Sequence, residues 1–476
     1  MRSILLRIVH LILVPAWLIG LFGNGHALAE RIIISDIAVI PMDRDGILPG
    51  QDVVVAEGRI VAIRPHGSAP ADPDDTVIIG EGRYLMPGLW DMHVHVSIPY
   101  ADNEVSAAQM TDIILPRFTG YGIVGVRDTG STLADFSSVR AALQDRPTMP
   151  HFYASGPLFE GPQMRWSKAV AVHATNAAQG RALAEQLADA GVDFFKIYDT
   201  LPEEALHAIA EVAEERGLPI AGHIPFSLST GQVLDAGLRL IEHVYPDLVA
   251  DCSPFGADAR LEPLTAWIED GLAGKYRATL ALWQSRHPPS CALIFSDMAR
   301  RGVFVTPMLH MEVPHHFVVP DEALPGVMAQ ARESCAVSRT AAAEVSPELA
   351  TAMRDELYGI VRALDAAGVR LLAGSDNGGD CRSDGYSLHR ELQLLVDAGI
   401  SPQNALRMAT LNAAAARGDD SAGRIAVGAP ADLLILDANP LDDIANSLQI
   451  ATLIRGGHIV PGPDLERMRA LDLPVE

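Results

Sequence analysis

The chain has 476 residues, about half of them hydrophobic, and a formal net charge of −24. That much apolar material excludes a disordered chain, and the length suits a large barrel with an accessory domain. So acidic a surface argues against nucleic acid and anionic membrane as partners without identifying a substrate; a small-molecule substrate is expected only from the candidate site residues.

The first residues read as a leader rather than a span. Arg2 and Arg7 make a basic start, residues 8–22 are mostly apolar, and Ala27-Leu28-Ala29 has the small-x-small pattern of a cleavage site. A signal peptide over 1–29 implies a periplasmic or secreted protein. No later run of about 18 apolar residues predicts a membrane span. The four cysteines, Cys252, Cys291, Cys335 and Cys381, lack the close pairing of a zinc ribbon. Export would allow two disulfides. The pairing Cys252–Cys291 and Cys335–Cys381 is favoured because each joins regions in or beside loops over the barrel mouth, with free buried thiols as the alternative.

Residues 31–85 alternate apolar and polar positions. Val53-Val54-Val55, Glu57-Gly58 and Ile60-Val61-Ala62-Ile63 predict a tight hairpin. The stretch from Asp432 to Val460 repeats that style, with Gly456-Gly457 at a second turn. Neither end has enough strands to bury a core alone, so 30–86 and 421–476 are expected to form one composite β-sandwich. Between them, eight strand candidates (85–95, 122–128, 151–156, 192–198, 219–223, 238–243, 302–309 and 369–376) alternate with helical segments. This predicts an α/β fold, a (β/α)8 TIM-like barrel over 87–420. Thr200 and Glu203 suggest a capping box for the helix that Gly217 ends, and Ser401-Pro402 opens the last barrel helix. Two oversized connections, near 245–301 and 310–368, are expected to cap the mouth.

Six residues at strand ends carry the chemistry. His93 and His95 are two apart in a strand, so they share a face. His223, His243 and Asp376 each close an apolar run, and barrel strands deliver functional groups from their C-terminal ends. Lys196 is unusual, being one of three lysines against thirty-three arginines and lying within Phe194-Phe195-Lys196-Ile197. Burial should lower its ordinary pKa of about 10.4. A neutral amine can add carbon dioxide, and the resulting carbamate can bridge two metal ions. An ion-pair role is the alternative.

Together with these ligands, Leu85-Met86-Pro87-Gly88-Leu89-Trp90-Asp91, Val126-Arg127-Asp128-Thr129-Gly130 and Gly428-Ala429-Pro430-Ala431-Asp432-Leu433 resemble the amidohydrolase superfamily. The similarity is to its binuclear branch with a carboxylated lysine, within the imidazolonepropionase-like and prolidase-like group. The chain departs from prolidase-like members after the lysine, where Asp199-Thr200-Leu201-Pro202 replaces a glycine-rich segment. The resemblance implies that His93, His95 and Asp376 hold one metal and that His223 and His243 hold a second. Carboxylated Lys196 would bridge them. Zinc suits this donor set, and manganese or iron are alternatives. Asp376 would also carry the catalytic proton.

Candidate substrate contacts are Tyr198, His310, Arg165 and Arg382, with Trp166 beside Arg165. Asp91 and Asp128 would orient ligands from behind. The expected reaction is hydrolysis of an amide bond, as a dipeptidase, carboxypeptidase or N-acyl amino acid amidase. A lactonase or esterase is the alternative, as is a mononuclear cyclic-amide hydrolase or deaminase. A homo-oligomer is compatible with all of these.

Overall fold

A computed structural model describes residues 31–96, 105–162, 170–244, 246–312, 331–378 and 381–473. The leader, Arg165 and Trp166 lie outside them. The N-terminal part supplies β1 (Ile32–Val39), β2 (Leu48–Ala56), β3 (Arg59–Pro65), β4 (Thr76–Ile79) and β5 (Tyr84–Pro87). Then come β6 (Leu89–Val94), β7 (Ile123–Asp128), β8 (His151–Ala154), β9 (Leu158–Glu160) and β10 (Ala171–His173). Next are β11 (Phe195–Ile197), β12 (Ile220–Gly222), β13 (Leu238–Glu242), β14 (Phe304–Thr306) and β15 (Arg370–Leu371). The C-terminal part adds β16 (Leu433–Leu436), β17 (Ile450–Arg455) and β18 (His458–Pro461).

Both chain ends share one sheet, in the order β18-β17-β16-β5-β1-β2-β3, with β4 also paired to β1. The two expected hairpins are present. Glu57 and Gly58 have φ of 52° and 70°, and Gly456 and Gly457 have 57° and 86°, the positive values that a two-residue turn matched to strand twist needs. The sheet folds back on itself where Ile60 N donates to Ala429 O at 2.9 Å and Ala431 N to Gly58 O at 2.8 Å. It thereby encloses its own core, which includes Ile34, Val53, Leu85, Leu433 and Ile454.

The remaining strands form the barrel wall. They lie in a three-stranded set, β6-β7-β8, and a seven-stranded set, β10-β9-β11-β12-β13-β14-β15, paired in parallel. Asp193 N donates to Ala154 O at 3.0 Å across one seam, and a parallel bridge between Val94 and Asn377 closes the other. All eight expected strand regions contribute. The structure adds β9 and β10, three residues each and too short to show a period, beside the C-terminal end of β11. It also divides the expected strand 85–95 at Gly88. Tyr84–Pro87 pairs with β16 in the other sheet, and Leu89–Val94 enters the barrel. A Cβ at Gly88 would lie 2.3 Å from Val124, so only glycine fits this crossing.

The helix Glu203–Arg216 ends at Gly217 with φ 68°, as expected. Its start differs, because Pro202 is the N-cap and makes no side-chain bond. Thr200 Oγ1 instead accepts from Gly161 N at 3.1 Å, anchoring the end of β9. Ser401 caps Pro402–Met408 through Asn404 N. The long connection before β14 is helical (Pro246–Ala250, Glu262–Ser285 and Pro288–Arg300), and Leu309–Glu312, Ala331–Ala343 and Pro347–Ala366 follow β14. Cys252–Cys291 and Cys335–Cys381 form disulfides with Cα separations of 5.0 and 4.3 Å. No helix of the described residues is long and apolar enough to cross a membrane.

At the junction of barrel and sheet, Trp90 is clamped. His151 stacks on it at 5.6 Å, and the Arg417 guanidinium lies 3.3 Å from the ring centroid. A Cβ on Gly125 would fall 2.2 Å from the same ring. Because the indole has no room to move, Gly125→Ala should cost about 2 kcal/mol, read as a lowered urea midpoint. An unchanged midpoint would show that the clamp yields.

Candidate metal centre

Parallel barrel strands are buried on both sides, so polar residues in them face either partners or ligands. β6 and β7 are buried along their whole length, yet they carry Asp91, His93, Arg127 and Asp128. Alternation in β6 sends Asp91, His93 and His95 to one side and Trp90, Met92 and Val94 to the other. His243 and Asp376, which follow strand ends, adopt left-handed backbone with φ of 66° and 45°. For residues with a Cβ this is strained, of order 1–3 kcal/mol each, and such strain collects at functional sites.

The structure brings the strand ends together. His93 Nε2 and His95 Nε2 lie 3.3 and 3.1 Å from Asp376 Oδ1. One donor atom from each of these three residues fits within a 4.8 Å group. The His93 ring lies edge-on to those of His95 and His243, and His243 to that of His223, each at 5.2 Å between centroids. Tyr198 is half-buried, its ring 4.3 Å from that of His223.

Behind the rings lies a layer of carboxylates that the sequence reading did not assign. His93 Nδ1 meets Glu242 Oε2 at 2.7 Å, His223 Nδ1 meets Asp199 Oδ1 at 2.6 Å, and His243 Nδ1 meets Glu312 Oε1 at 3.2 Å. An imidazole that donates from Nδ1 to a carboxylate keeps its Nε2 lone pair for a cation. Glu242 is also held by Arg127 Nη2 at 2.7 and 2.9 Å, while Arg127 Nε donates to Met92 O at 2.6 Å. The only sequence signal for these acids was position. Glu242 directly precedes a strand-end histidine, and Asp199 follows Tyr198.

Asp91 and Asp128 bond to backbone, and Asp128 also acts electrostatically on His95. Asp91 Oδ1 accepts from Ser375 N at 2.9 Å, tying β6 to the turn before Asp376, and Asp128 Oδ2 accepts from Val96 N at 2.8 Å. His310 is buried. Glu391 accepts from the backbone N–H groups of Leu309 and His310 at 2.9 and 3.0 Å and lies 3.4 Å from His310 Nδ1, while His310 Nε2 has no hydrogen-bond partner among the described residues. Arg382 Nη1 stands 3.3 Å from Asp376 Oδ2.

Protonation follows burial and neighbours. Burial lowers the pKa of His93, with the nearby Lys196 charge adding to the effect. Burial takes His223 down to about 4 against the pull of Asp199, and holds His243 well below the ordinary histidine value. For Asp376, burial raises the pKa, but the contacts with His93 and His95 and the Arg382 charge outweigh it and keep the carboxyl ionised. Burial brings Lys196 down to about 8, although Glu242 opposes it.

The donor set therefore fits a divalent cation. With Nδ1 donating to Glu242, the buried His93 presents its Nε2 lone pair to an ionised oxygen 3.3 Å away. Two electron-rich atoms in that relation repel unless a cation lies between them. Neutral imidazoles and carboxylate are a usual set for zinc.

Comparison with known proteins agrees with this architecture. The amidohydrolase family profile matches residues 84–460. Over 213 residues the chain is 26% identical to an adenine deaminase of Chelativorans sp., covering 42% of this chain and 33% of that protein. An adenine deaminase of Paracoccus denitrificans is 42% identical over 72 residues, 15% of this chain and 12% of that protein. The chain thus spans a third or less of the length of these curated relatives. Among solved structures, bottromycin amidohydrolase aligns with a TM-score of 0.68 at 22% identity, covering 92% of this chain and 91% of that one. A Xaa-Pro dipeptidase with bound methionine in its active site aligns at 0.65 and 19% identity, covering 91% and 100%. At these identities the structures share the fold. The profile match runs from β5 through the barrel into β18, and the protein belongs to the amidohydrolase family.

Proposed function

We propose that this protein is a metal-dependent hydrolase of amide C–N bonds that releases an amino acid from a dipeptide or N-acyl amino acid. It would act as a dipeptidase, carboxypeptidase or N-acyl amino acid amidase. The observation that carries the reading is the contact of His93 Nε2 with Asp376 Oδ1, amid three histidines whose Nδ1 atoms meet carboxylates. His93, His95 and Asp376 would hold one divalent ion, with zinc the best match, and His223 and His243 a second. Lys196 would join them as a carbamate, formed when its neutral amine adds carbon dioxide and loses a proton. When bound, such ions acidify water toward a pKa of about 7 and polarise the scissile carbonyl.

The remaining work falls to the chain. Asp376 Oδ1 faces the imidazoles, and Oδ2, with Arg382 beside it, would take the proton of the attacking water and return it to the leaving nitrogen. Tyr198, beside His223, supplies a hydroxyl donor to the substrate carbonyl. His310, held by Glu391, offers Nε2 as a further contact. Arg165 and Arg382 complete the proposed binding set.

A lactonase or esterase is the second reading, because the same centre attacks either carbonyl. The matches to adenine deaminases favour a third, deamination, which we take to need a one-metal site. Lys196, buried beside the histidines, speaks against it, since a bridging ligand has no purpose there. The proposed division is a leader over 1–29, a sheet domain of 30–86 with 421–476, and a barrel over 87–420 capped near 245–301 and 310–368. The two disulfides are compatible with export to the periplasm or beyond.

A screen of dipeptides, N-acyl amino acids, lactones and adenine on metal-reconstituted protein should show turnover of the amides. Turnover confined to lactones or adenine would retire the proposal. Lys196→Ala should lower bound metal from about two equivalents per chain, measured by elemental analysis. Two retained ions would remove the bridge. Asp199→Ala should weaken metal binding about 10- to 100-fold by freeing the His223 ring, measured by competition with a chelating dye. Unaltered affinity would show that Asp199 has no hold on the site.

A further inference from the structure

Residues 381–384, which follow Asp376 in the chain, are braced from two remote parts of it. Cys381 is bonded to Cys335 in the helix Ala331–Ala343. Asp384 accepts from Asn377 Nδ2 and, at 3.1 Å, from Arg117 Nε. Arg117 Nη1 in turn donates to the carbonyls of Arg469, at 3.0 Å, and Leu471, so the C-terminal segment helps to hold the loop. Ser383 N donates to Ser387 Oγ at 2.9 Å. Between these anchors sits Arg382, its side chain 13% exposed and its Nη1 3.3 Å from Asp376 Oδ2.

We propose that Arg382 is the receptor for the α-carboxylate of the amino acid that the reaction releases. The enzyme would then select amides whose leaving amine carries a free acid. This deepens, and rests on, the amide-hydrolase reading. Three arguments support it. The first is distance within the substrate. In an N-acyl amino acid, one carbon separates the leaving nitrogen from the carboxyl carbon, so the groups that serve them should be neighbours. Asp376 Oδ2, which serves the nitrogen, and Arg382 Nη1 are 3.3 Å apart.

The second argument is charge. A divalent ion held by Asp376 Oδ1 would place a second cationic charge beside the Arg382 guanidinium, which stands 3.3 Å from Oδ2. The guanidinium then lies beside cationic charge, and an incoming carboxylate offsets it, in the planar two-point geometry that arginine matches. The third is preorganisation. A disulfide, a buried ion pair and side-chain bonds hold residues 381–384 before substrate arrives, which favours tight recognition of one small group. A lactone brings no such carboxylate.

The test compares N-acetyl amino acids with their C-terminal amides, with KM and kcat read separately. Calorimetry of free amino acids and amino acid amides on the metal-loaded protein runs beside it. Wild-type protein should prefer the acid in both assays. Arg382→Gln should reduce that preference about 10- to 100-fold, mainly through KM, while Arg382→Lys retains part of it. Equal losses on acid and amide, or an unaltered preference in Arg382→Gln, would overturn the receptor and leave the hydrolase reading standing. If neither form is hydrolysed but calorimetry shows an acid preference that Arg382→Gln abolishes, the receptor stands and the reaction assignment falls. Should Arg382→Gln fail to fold, Arg382→Lys and the wild-type preference decide. A wild-type protein indifferent to the carboxylate overturns the proposal.

Discussion

A neutral imidazole and an ionised carboxylate that face each other through lone pairs repel unless a cation stands between them. His93 Nε2 and Asp376 Oδ1 stand in that relation at 3.3 Å, and both residues are buried, where solvent screening is weak. The surrounding polar structure is arranged to keep them so. Glu242 takes the Nδ1 side of His93, and Arg127 prevents Glu242 from becoming an unpaired buried charge. Asp199 and Glu312 do the same for His223 and His243. Each carboxylate fixes a tautomer and a ring plane, and each would be costly to bury without that partner.

Convergence of this kind requires a closed wall. The seam between the first and last barrel strands is where His93, His95 and Asp376 meet. It is held by backbone bonds from Asp376 N to His93 O and from His95 N to Asn377 O, each 2.8 Å. Asp91 reinforces it by accepting from Ser375 N. The left-handed backbone at His243 and Asp376 is a local cost that the closed barrel imposes, turning side chains at strand ends toward the mouth. The loop beyond Asp376 extends the same logic outward, since a disulfide from one insertion and Arg117 from an early helix hold the residues that frame the opening.

Much of this was legible in one dimension. Period-two alternation and Gly-containing turns mark the hairpins, and apolar runs ending in His or Asp mark the barrel strands. Such patterns arise from local geometry, which a linear pattern records. The His-x-His spacing works for the same reason, because a strand places residues two apart on one face. The layer behind the histidines was not legible. Glu242, Asp199, Glu312 and Glu391 are common residue types at no telling interval, and nothing local separates them from solvated acids. The Thr200 and Glu203 pairing misled because Thr200 had a better partner, the backbone of Gly161 across the barrel rim.

The amino-acid order by itself determined which segments would become strands, which side chains would share a face, and which residue types were available to a cation, because these depend on bonds between near neighbours. Only the tertiary structure decided that β5 and β6 part company at Gly88, that β9 and β10 join the wall, and that three of the candidate ligand histidines have an acid behind them. The acids stand behind His93, His223 and His243. These outcomes depend on which distant segments come into contact, and linear spacing does not encode the distance between strands that meet across a barrel.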